Sequence, residues 1–228
     1  MLGLNTDCMA MSKHLAISLD NIFEWCRKNN TSIHEACSKY FKLLNNLLQL
    51  QAKSSIPIFT VYLLPVDAEK YGDDFLIFSE HMADFFNGLP GNPIISEQKI
   101  KVSIFGKWYK PPSKSIDALK RIIDDTKEYD NFFVNFCINY DGHEEIVDAC
   151  KLIAKQVELG KIAPEMITKE NIEENLYSSY FLAPDIMLIY GERKLSGLLL
   201  WDSAKSSIVF ADKYFMEFSE SDVEKCME

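Results

Sequence analysis

The sequence predicts a single α/β domain, spanning residues 1–228, with a central, mostly parallel, six-stranded sheet flanked by helices. Six short runs rich in β-branched and aromatic residues alternate with longer helical stretches, which is the pattern of a parallel sheet. The runs are apolar at successive positions, as in Phe132-Phe133-Val134, and this indicates strands covered on both faces. A hydrophobic content of 47% in 228 residues is sufficient for one sizeable core.

The predicted strands are residues 15–19, 57–64, 99–105, 132–139, 185–190 and 207–210. Between the first two strands, a helix is predicted to begin at Ser32, because Ser-Ile-His-Glu has the pattern of a capping box. A leucine stripe follows, and we interpret it as core rather than as a seam for a partner helix.

Two further helices and one loop are predicted. Residues 71–88 carry apolar side chains at helical spacing, and the Gly/Pro-rich residues 88–93 that follow predict a loop. Residues 143–160 predict another helix, which buries a face that includes Cys150 and ends with Gly160 as a C-cap.

Charge and residue usage exclude several classes of function. The formal net charge of −10 argues against a nucleic-acid binder, which needs lysine and arginine against phosphates. The six cysteines, Cys8 among them, form no Cys-x-x-Cys pair and are interpreted as reduced core thiols. No two of the four histidines have i,i+4 spacing, so no histidine metal site is predicted. No run approaches the ~18 apolar residues of a membrane span, so the predicted location is the cytoplasm, with peripheral membrane contact left open.

Three blocks of sequence resemble one known family, the cis-prenyltransferases. Residues 134–146 read Val-Asn-Phe-Cys-Ile-Asn-Tyr-Asp-Gly-His-Glu-Glu-Ile and resemble a family strand that ends in Asn-Tyr-Gly-Gly-Arg before a helix beginning Glu-Ile. Residues 184–201 contain Pro-Asp-Ile-Met-Leu, Gly-Glu and Leu-Ser-Gly-Leu-Leu-Leu-Trp, similar to the family's Pro-Asp-Leu-Leu-Ile-Arg-Thr-Ser-Gly-Glu and Arg-Leu-Ser-Asn-Phe-Leu-Leu-Trp. Residues 14–20, His-Leu-Ala-Ile-Ser-Leu-Asp, resemble the family's first strand and aspartate.

The resemblance implies an undecaprenyl diphosphate synthase-like fold with an apolar tunnel for the growing polyprenyl chain. It also implies a dimer, formed partly through Leu198, Leu199, Leu200 and Trp201. Trp201 is interpreted either as an anchor in that dimer or as a core residue.

The diphosphate and metal positions of the family are altered in this chain. Chain elongation releases diphosphate, whose charge must be met by arginines, backbone amides and a metal ion. Glu24 stands where the resemblance places an arginine on the allylic diphosphate, and Ile189-Tyr190 replaces Arg-Thr-Ser. The glutamate expected on magnesium is Ser207 here, which supplies no carboxylate. The C-terminal Arg-x-Gly that the family lends across its dimer is absent from residues 220–228.

A few side chains remain as candidates for a site. Asp20 is either a vestige of the family's catalytic aspartate or an N-cap of the next helix. Arg193, Lys194 and Ser196 are candidates for a weakened diphosphate site, since lysine keeps the charge but not the two-pronged geometry of arginine. His143 is interpreted as a helix-start residue rather than a catalyst.

These losses favour a non-catalytic subunit of a heteromeric cis-prenyltransferase, which would act with a catalytic homologue. No cofactor is predicted in this chain, and Mg²⁺ is expected in the catalytic partner. One alternative is an active homodimeric cis-prenyl diphosphate synthase that uses Asp20, Arg193 and Lys194. The other is a protein that holds a polyprenyl lipid in the tunnel of the same fold.

Overall fold

The computed structural model describes residues 13–226, so the predicted core thiol of Cys8 and the last two residues lie outside it. The strands are β1 (His14–Ser18), β2 (Ile58–Pro65), β3 (Ile100–Phe105), β4 (Phe132–Tyr140), β5 (Ile186–Tyr190) and β6 (Ser207–Ala211). The helices are α1 (Ile22–Asn29), α2 (Ile33–Ser54), α3 (Asp73–Gly88), α4 (Pro93–Glu97), α5 (Ser113–Thr126), α6 (Gly142–Glu158), α7 (Lys169–Glu173) and α8 (Glu220–Cys226).

The six strands form one sheet in the order β3-β4-β2-β1-β5-β6, and all five pairings are parallel. Every predicted strand is present, with its ends within one residue of the prediction. The predicted fold class is therefore confirmed. The chain runs from β1 to one side of the sheet and later returns to its other side through β5, so the order reverses at β1, where open α/β sheets place ligands.

Two apolar clusters pack on the sheet. The larger one lies beneath α1, α2, α3 and α5 and contains the predicted leucine stripe. The smaller one lies on the opposite face and joins side chains of β1, β3, β4 and β5 to Leu198 and Leu199. The edge strand β6 departs from the prediction of full burial, because Ile208 and Phe210 remain exposed there.

The helix starts follow local sequence signals. Ser32 Oγ accepts the amide of Glu35 at 3.3 Å, which is one of the two bonds of the predicted capping box. The predicted loop at residues 88–93 is shorter than expected, because Asn92 caps a further helix, α4, by accepting Ile94 N at 3.1 Å. Pro93 suits the first position of that helix, where no amide hydrogen is needed.

The buried face of α6 was predicted correctly at Ile153 but wrongly at Cys150. Its buried positions include Glu145 and Ala149, whereas Cys150 is exposed and is not a core thiol. The start of the helix explains the rotation, because Gly142 N donates to Gly197 O at 2.9 Å and a Cβ on Gly142 would lie 2.5 Å from that oxygen. Only glycine permits this approach, and it fixes which side of α6 faces inward.

None of the helices within residues 13–226 is both long enough and apolar enough to cross a membrane.

Candidate functional site

A pocket of about 360 Å³ opens at the carboxyl ends of the central strands, where the strand order reverses. Asp20 follows β1, Tyr62 and Pro65 belong to β2, and Tyr190 ends β5. Loops after parallel strands converge at this edge of the sheet, so residues far apart in sequence share one cavity. We call this cavity the switch-point pocket.

Acidic side chains dominate the lining of the switch-point pocket. Its five carboxylates are Asp20, Glu24, Asp67, Asp141 and Glu192, and its two ammonium groups are Lys70 and Lys194. Five negative and two positive groups leave a formal excess of three negative charges. Both lysines are engaged within the pocket, since Lys70 Nζ lies 2.5 Å from Asp67 Oδ2 and Lys194 Nζ lies 2.5 Å from Glu192 Oε2.

Asp20 lies at the floor of the pocket and does not cap α1, so the N-cap interpretation was wrong. Its Oδ1 accepts a hydrogen bond from Ser18 Oγ at 2.5 Å, and Asn21 occupies the N-cap position. Burial raises the pKa of Asp20 to about 6, and the nearby Glu24 carboxylate adds to the rise while Lys194 opposes it. The carboxylate is therefore mostly ionised at pH 7, and burying its charge lowers the stability of the fold.

Close packing fixes the start of α1 against the end of β5. Asn21 Nδ2 donates to Tyr190 O at 2.8 Å. Gly191 has φ +82°, and a Cβ there would lie 2.8 Å from Asn21 Nδ2. Glycine at this position therefore allows α1 to present Glu24 to the pocket.

Glu24 points into the pocket and is tied there by Tyr71. The Tyr71 hydroxyl donates to Glu24 Oε1, and its ring stacks on Phe23 with centroids 4.2 Å apart. Burial raises the pKa of Tyr71, so its hydroxyl stays protonated as the donor. The position predicted to have lost an arginine thus carries an oriented carboxylate.

Aromatic side chains fill the space behind Tyr71, between α1, α2 and α3. Phe23, Tyr40 and Phe78 are buried, and the Phe78 ring lies 5.5 Å from Phe23 and 5.7 Å from Tyr40 between centroids. Phe41 continues the cluster with a centroid 5.4 Å from Phe78. This packing fills the apolar layer between these three helices.

The predicted anion-binding residues are only partly brought together. Lys194 and Ser196 line the pocket. Arg193 does not, because its guanidinium makes a two-pronged ion pair with Asp212, with nitrogen to oxygen distances of 2.7 and 2.8 Å. That pair lies at the surface, with 68% of the Arg193 side chain exposed, so Arg193 lies outside the pocket lining and its role in binding diphosphate stays a prediction.

The other altered positions separate along β5 and β6. Tyr190 lines the pocket and donates its hydroxyl to Asp222 Oδ2 at 2.9 Å, whereas Ile189 is buried in the smaller apolar cluster. Ser207 pairs with Ile186 at the amino end of β5. It therefore lies roughly 13 Å along the strand from Tyr190, at about 3.3 Å per residue.

The donor set of the pocket fits Mg²⁺ poorly. Among residues 13–226, no group of three or more histidine, cysteine or acidic side chains is arranged to hold a metal ion. Asp67 and Glu192 are engaged in ion pairs, and Asp141 caps a helix. Mg²⁺ bound here would therefore depend on one or two carboxylates, such as Asp20, together with the phosphates of a ligand.

The segment predicted to form a dimer divides into buried and accessible residues. Leu198 and Leu199 are fully buried in the smaller apolar cluster, so neither offers surface to a partner, contrary to the prediction for them. Leu200 and Trp201 are partly exposed, and Trp201 Nε1 donates to Glu173 Oε1 at 3.2 Å. Leu200 and Trp201 therefore remain as the candidates for a dimer interface.

His143 is at the start of α6, as expected, and its neighbour Asp141 is the cap. Asp141 Oδ1 accepts the amides of His143 at 2.6 Å and Glu144 at 3.4 Å.

We expect Asp141→Ala to lower the free energy of unfolding by about 1–2 kcal/mol, because both amides lose their acceptor. Asp141→Ser should lose clearly less, since a hydroxyl can replace that acceptor. Urea denaturation compares the two variants, and equal losses would show that the stabilisation by Asp141 does not come from capping.

Sequence reasoning missed four of the seven charged residues of the lining, namely Asp67, Lys70, Asp141 and Glu192. Asp67, Lys70 and Tyr71 follow β2 in the part of the chain with the weakest resemblance to the family, and Asp141 follows β4. Their position directly after parallel strands was a usable signal, because such ends meet at one edge of the sheet.

Comparison with known proteins agrees with the fold. A family model described as putative undecaprenyl diphosphate synthase matches residues 22–228. A tritrans,polycis-undecaprenyl-diphosphate synthase (geranylgeranyl-diphosphate specific) of Picrophilus torridus is 30% identical over 211 residues, which cover 92% of this chain and 83% of that protein. An isoprenyl transferase of Shouchella clausii is 27% identical over 221 residues, with 94% and 83% covered.

Solved structures show the same fold. Lavandulyl diphosphate synthase of Lavandula x intermedia, in complex with dimethylallyl diphosphate, superimposes with a TM-score of 0.87 at 22% identity, covering 95% of this chain and 94% of the other. A probable undecaprenyl diphosphate synthase of Campylobacter jejuni gives a TM-score of 0.74 at 21% identity, covering 95% and 93%. The fold is thus that of the prenyl diphosphate synthases. The chain belongs to the cis-prenyltransferase family.

Proposed function

We propose that this chain is a non-catalytic subunit of a heteromeric cis-prenyltransferase, which makes polyprenyl diphosphate from isopentenyl diphosphate and an allylic diphosphate. The observation that carries the proposal is the charge of the switch-point pocket. Five carboxylates line it, and each of its two lysines already has a carboxylate partner.

Such a pocket opposes a diphosphate on electrostatic grounds. At an effective dielectric constant of about 20, two like charges roughly 6 Å apart repel by about 3 kcal/mol. The Glu24 carboxylate, held in place by Tyr71, therefore costs binding energy where an arginine would supply it. Freeing Lys70 or Lys194 for the ligand would leave Asp67 or Glu192 unpaired beside the same anion.

The proposed complex divides the work between two homologous chains. The catalytic homologue would supply the arginines, the catalytic aspartate and the Mg²⁺ ion. This chain would stabilise it or shape its tunnel through a surface that includes Leu200 and Trp201, both partly exposed. Dimers are the assembly expected for the family, so a homologous partner fits the same surface.

One alternative has structural support of its own, namely an active homodimeric synthase. Asp20, Lys194 and Ser196 do line one pocket, and the raised pKa of Asp20 is typical of functional carboxyl groups. We place it second because both cationic groups are neutralised locally. We place the lipid-binding alternative third, because the lining of the switch-point pocket is mostly charged and polar rather than apolar.

Incorporation of labelled isopentenyl diphosphate tests the proposal. We expect activity from this chain coexpressed with a catalytic homologue from the same cell, above that of the homologue alone, and none from this chain alone. Magnesium-dependent turnover by this chain alone would overturn the proposal.

The variant Asp20→Asn distinguishes the subunit role from the enzyme alternative in a second way. The subunit role predicts unchanged activity of the mixture, whereas the enzyme alternative predicts loss of the activity of the chain alone.

A further inference from the structure

A second pocket, of about 590 Å³, lies on the face of the sheet that carries the smaller apolar cluster. Its floor is formed by β3, β4 and the first residue of β2, and residues 177–182 form one wall. We call it the β3–β4 groove. Its size is typical of sites for small organic ligands.

The walls of the β3–β4 groove are mostly aromatic. Phe105, Phe133 and Phe181 line it, and the Phe181 ring lies 5.7 Å from Phe133 between centroids. Lys101 is the only charged side chain of the lining, and it makes no ion pair among residues 13–226. The groove therefore combines apolar surface with one uncompensated positive charge.

The wall of residues 177–182 is a built feature of the fold. Glu145, which is buried in α6, accepts Tyr177 N at 2.9 Å and Ser178 N at 3.3 Å. At the other end of the segment, His14 Nδ1 lies 2.5 Å from Leu182 O. The segment between these anchors presents Tyr180 and Leu182 at the rim, 94% and 62% exposed.

A buried polar atom lies beside the floor of the groove. Asn135 in β4 is fully buried, and within residues 13–226 its Oδ1 has no hydrogen-bond partner, although its Nδ2 donates to Thr60 Oγ1 at 3.1 Å. Asn135 pairs across the sheet with Ser103, which lines the groove on the same face. Buried polar atoms without partners are rare, and this one marks a polar position beside the otherwise apolar floor of the groove.

We propose that the β3–β4 groove binds an anionic amphiphile, a molecule with an apolar chain and a single carboxylate or phosphate group. The chain packs on the three phenylalanines, and the anion lies at Lys101. The contrast with the switch-point pocket supports this assignment, because an anion meets three excess negative charges there and one free ammonium group here. The proposal does not depend on the subunit role.

Titration of the full chain with cis-parinaric acid, a fluorescent C18 carboxylate, tests the proposal. Palmitate and farnesyl monophosphate serve as anionic competitors, and farnesol is the uncharged control. We expect saturable binding, displacement by at least one of the two anions, and about threefold weaker competition by farnesol, because farnesol lacks one partly exposed charge contact. Displacement by palmitate alone identifies an acyl carboxylate as the ligand, and displacement by farnesyl monophosphate alone identifies an isoprenoid phosphate.

Three variants locate the site, with far-UV circular dichroism confirming that each is folded. Lys101→Met should weaken the binding of the anionic ligands about threefold and leave that of farnesol unchanged. Lys194→Met, in the switch-point pocket, should change neither. Ser103→Phe should weaken all ligands because it fills the groove.

The opposite results are equally definite. Non-saturable binding, sensitivity to Lys194→Met rather than Lys101→Met, or full binding by Ser103→Phe would each overturn the proposal. It is also overturned if the wild-type chain binds no amphiphile and Ser103→Phe converts a dimer to a monomer, since the groove is then a contact between chains.

Discussion

Glu24→Arg should increase the affinity of this chain for farnesyl diphosphate by about two orders of magnitude. The change removes one negative charge from the switch-point pocket and adds one positive charge. At roughly 3 kcal/mol per charge before screening, a net gain of about 3 kcal/mol is a conservative expectation after solvent and salt are allowed for. Because each 1.4 kcal/mol corresponds to about tenfold in affinity, this gain is about a hundredfold. Isothermal titration calorimetry measures it directly.

A matched control separates the pocket from the net charge of the chain. Glu158→Arg makes the same change of charge on the exposed last turn of α6 and should leave the affinity unaltered. The gain at Glu24 should shrink as salt is raised, since screening weakens a charge contact. Micromolar binding by the wild-type chain would contradict the electrostatic argument, because the acidic pocket would then admit the anion as it stands.

The sheet could be predicted to within one residue because each strand carries its own signal, a short apolar run between breakers. The inward face of α6 could not, because it depends on the contact of Gly142 with Gly197 O, 55 residues later by sequence number. Periodicity alone predicts Cys150 on the buried face of α6, whereas its side chain is exposed in the structure. Tertiary contact thus decided between two faces of similar apolar content.

The candidate site likewise contains residues that could be predicted from the sequence and residues that could not. Glu24, Tyr190 and Lys194 were identified from their places in the family pattern, and all three line the pocket. The orientation of Arg193 was not predictable, because it depends on Asp212, which lies just beyond β6. The spacing of residues in the sequence also cannot predict contacts between two helices. One example is the pair of His34 in α2 and His81 in α3, whose ring nitrogens lie 3.0 Å apart.

Asp20→Asn should stabilise the chain at pH 7 by about 1–3 kcal/mol. Burial raises the pKa of Asp20 from 3.8 to about 6, and each pKa unit corresponds to about 1.4 kcal/mol, which gives an upper limit of about 3 kcal/mol. The group is partly exposed, so solvent reduces the effect below that limit. Asparagine avoids the cost of the buried charge, and its Oδ1 can still accept the hydrogen bond from Ser18. Urea denaturation of both proteins at pH 7 measures the difference.

The pH dependence of this stabilisation tests whether the charge of Asp20 is its cause. Between pH 4 and pH 6 the folded wild-type chain binds more protons at Asp20 than the unfolded chain does, so its free energy of unfolding falls as pH rises through this window. The advantage of Asp20→Asn should therefore be absent below pH 4, grow up to pH 6 and stay constant above it. Asp130→Asn, at an exposed position, should show no such profile. A destabilised Asp20→Asn variant at pH 7 would contradict the argument. A stabilised variant that supports full activity of the mixed enzyme would identify Asp20 as a costly carboxylate that no longer serves catalysis.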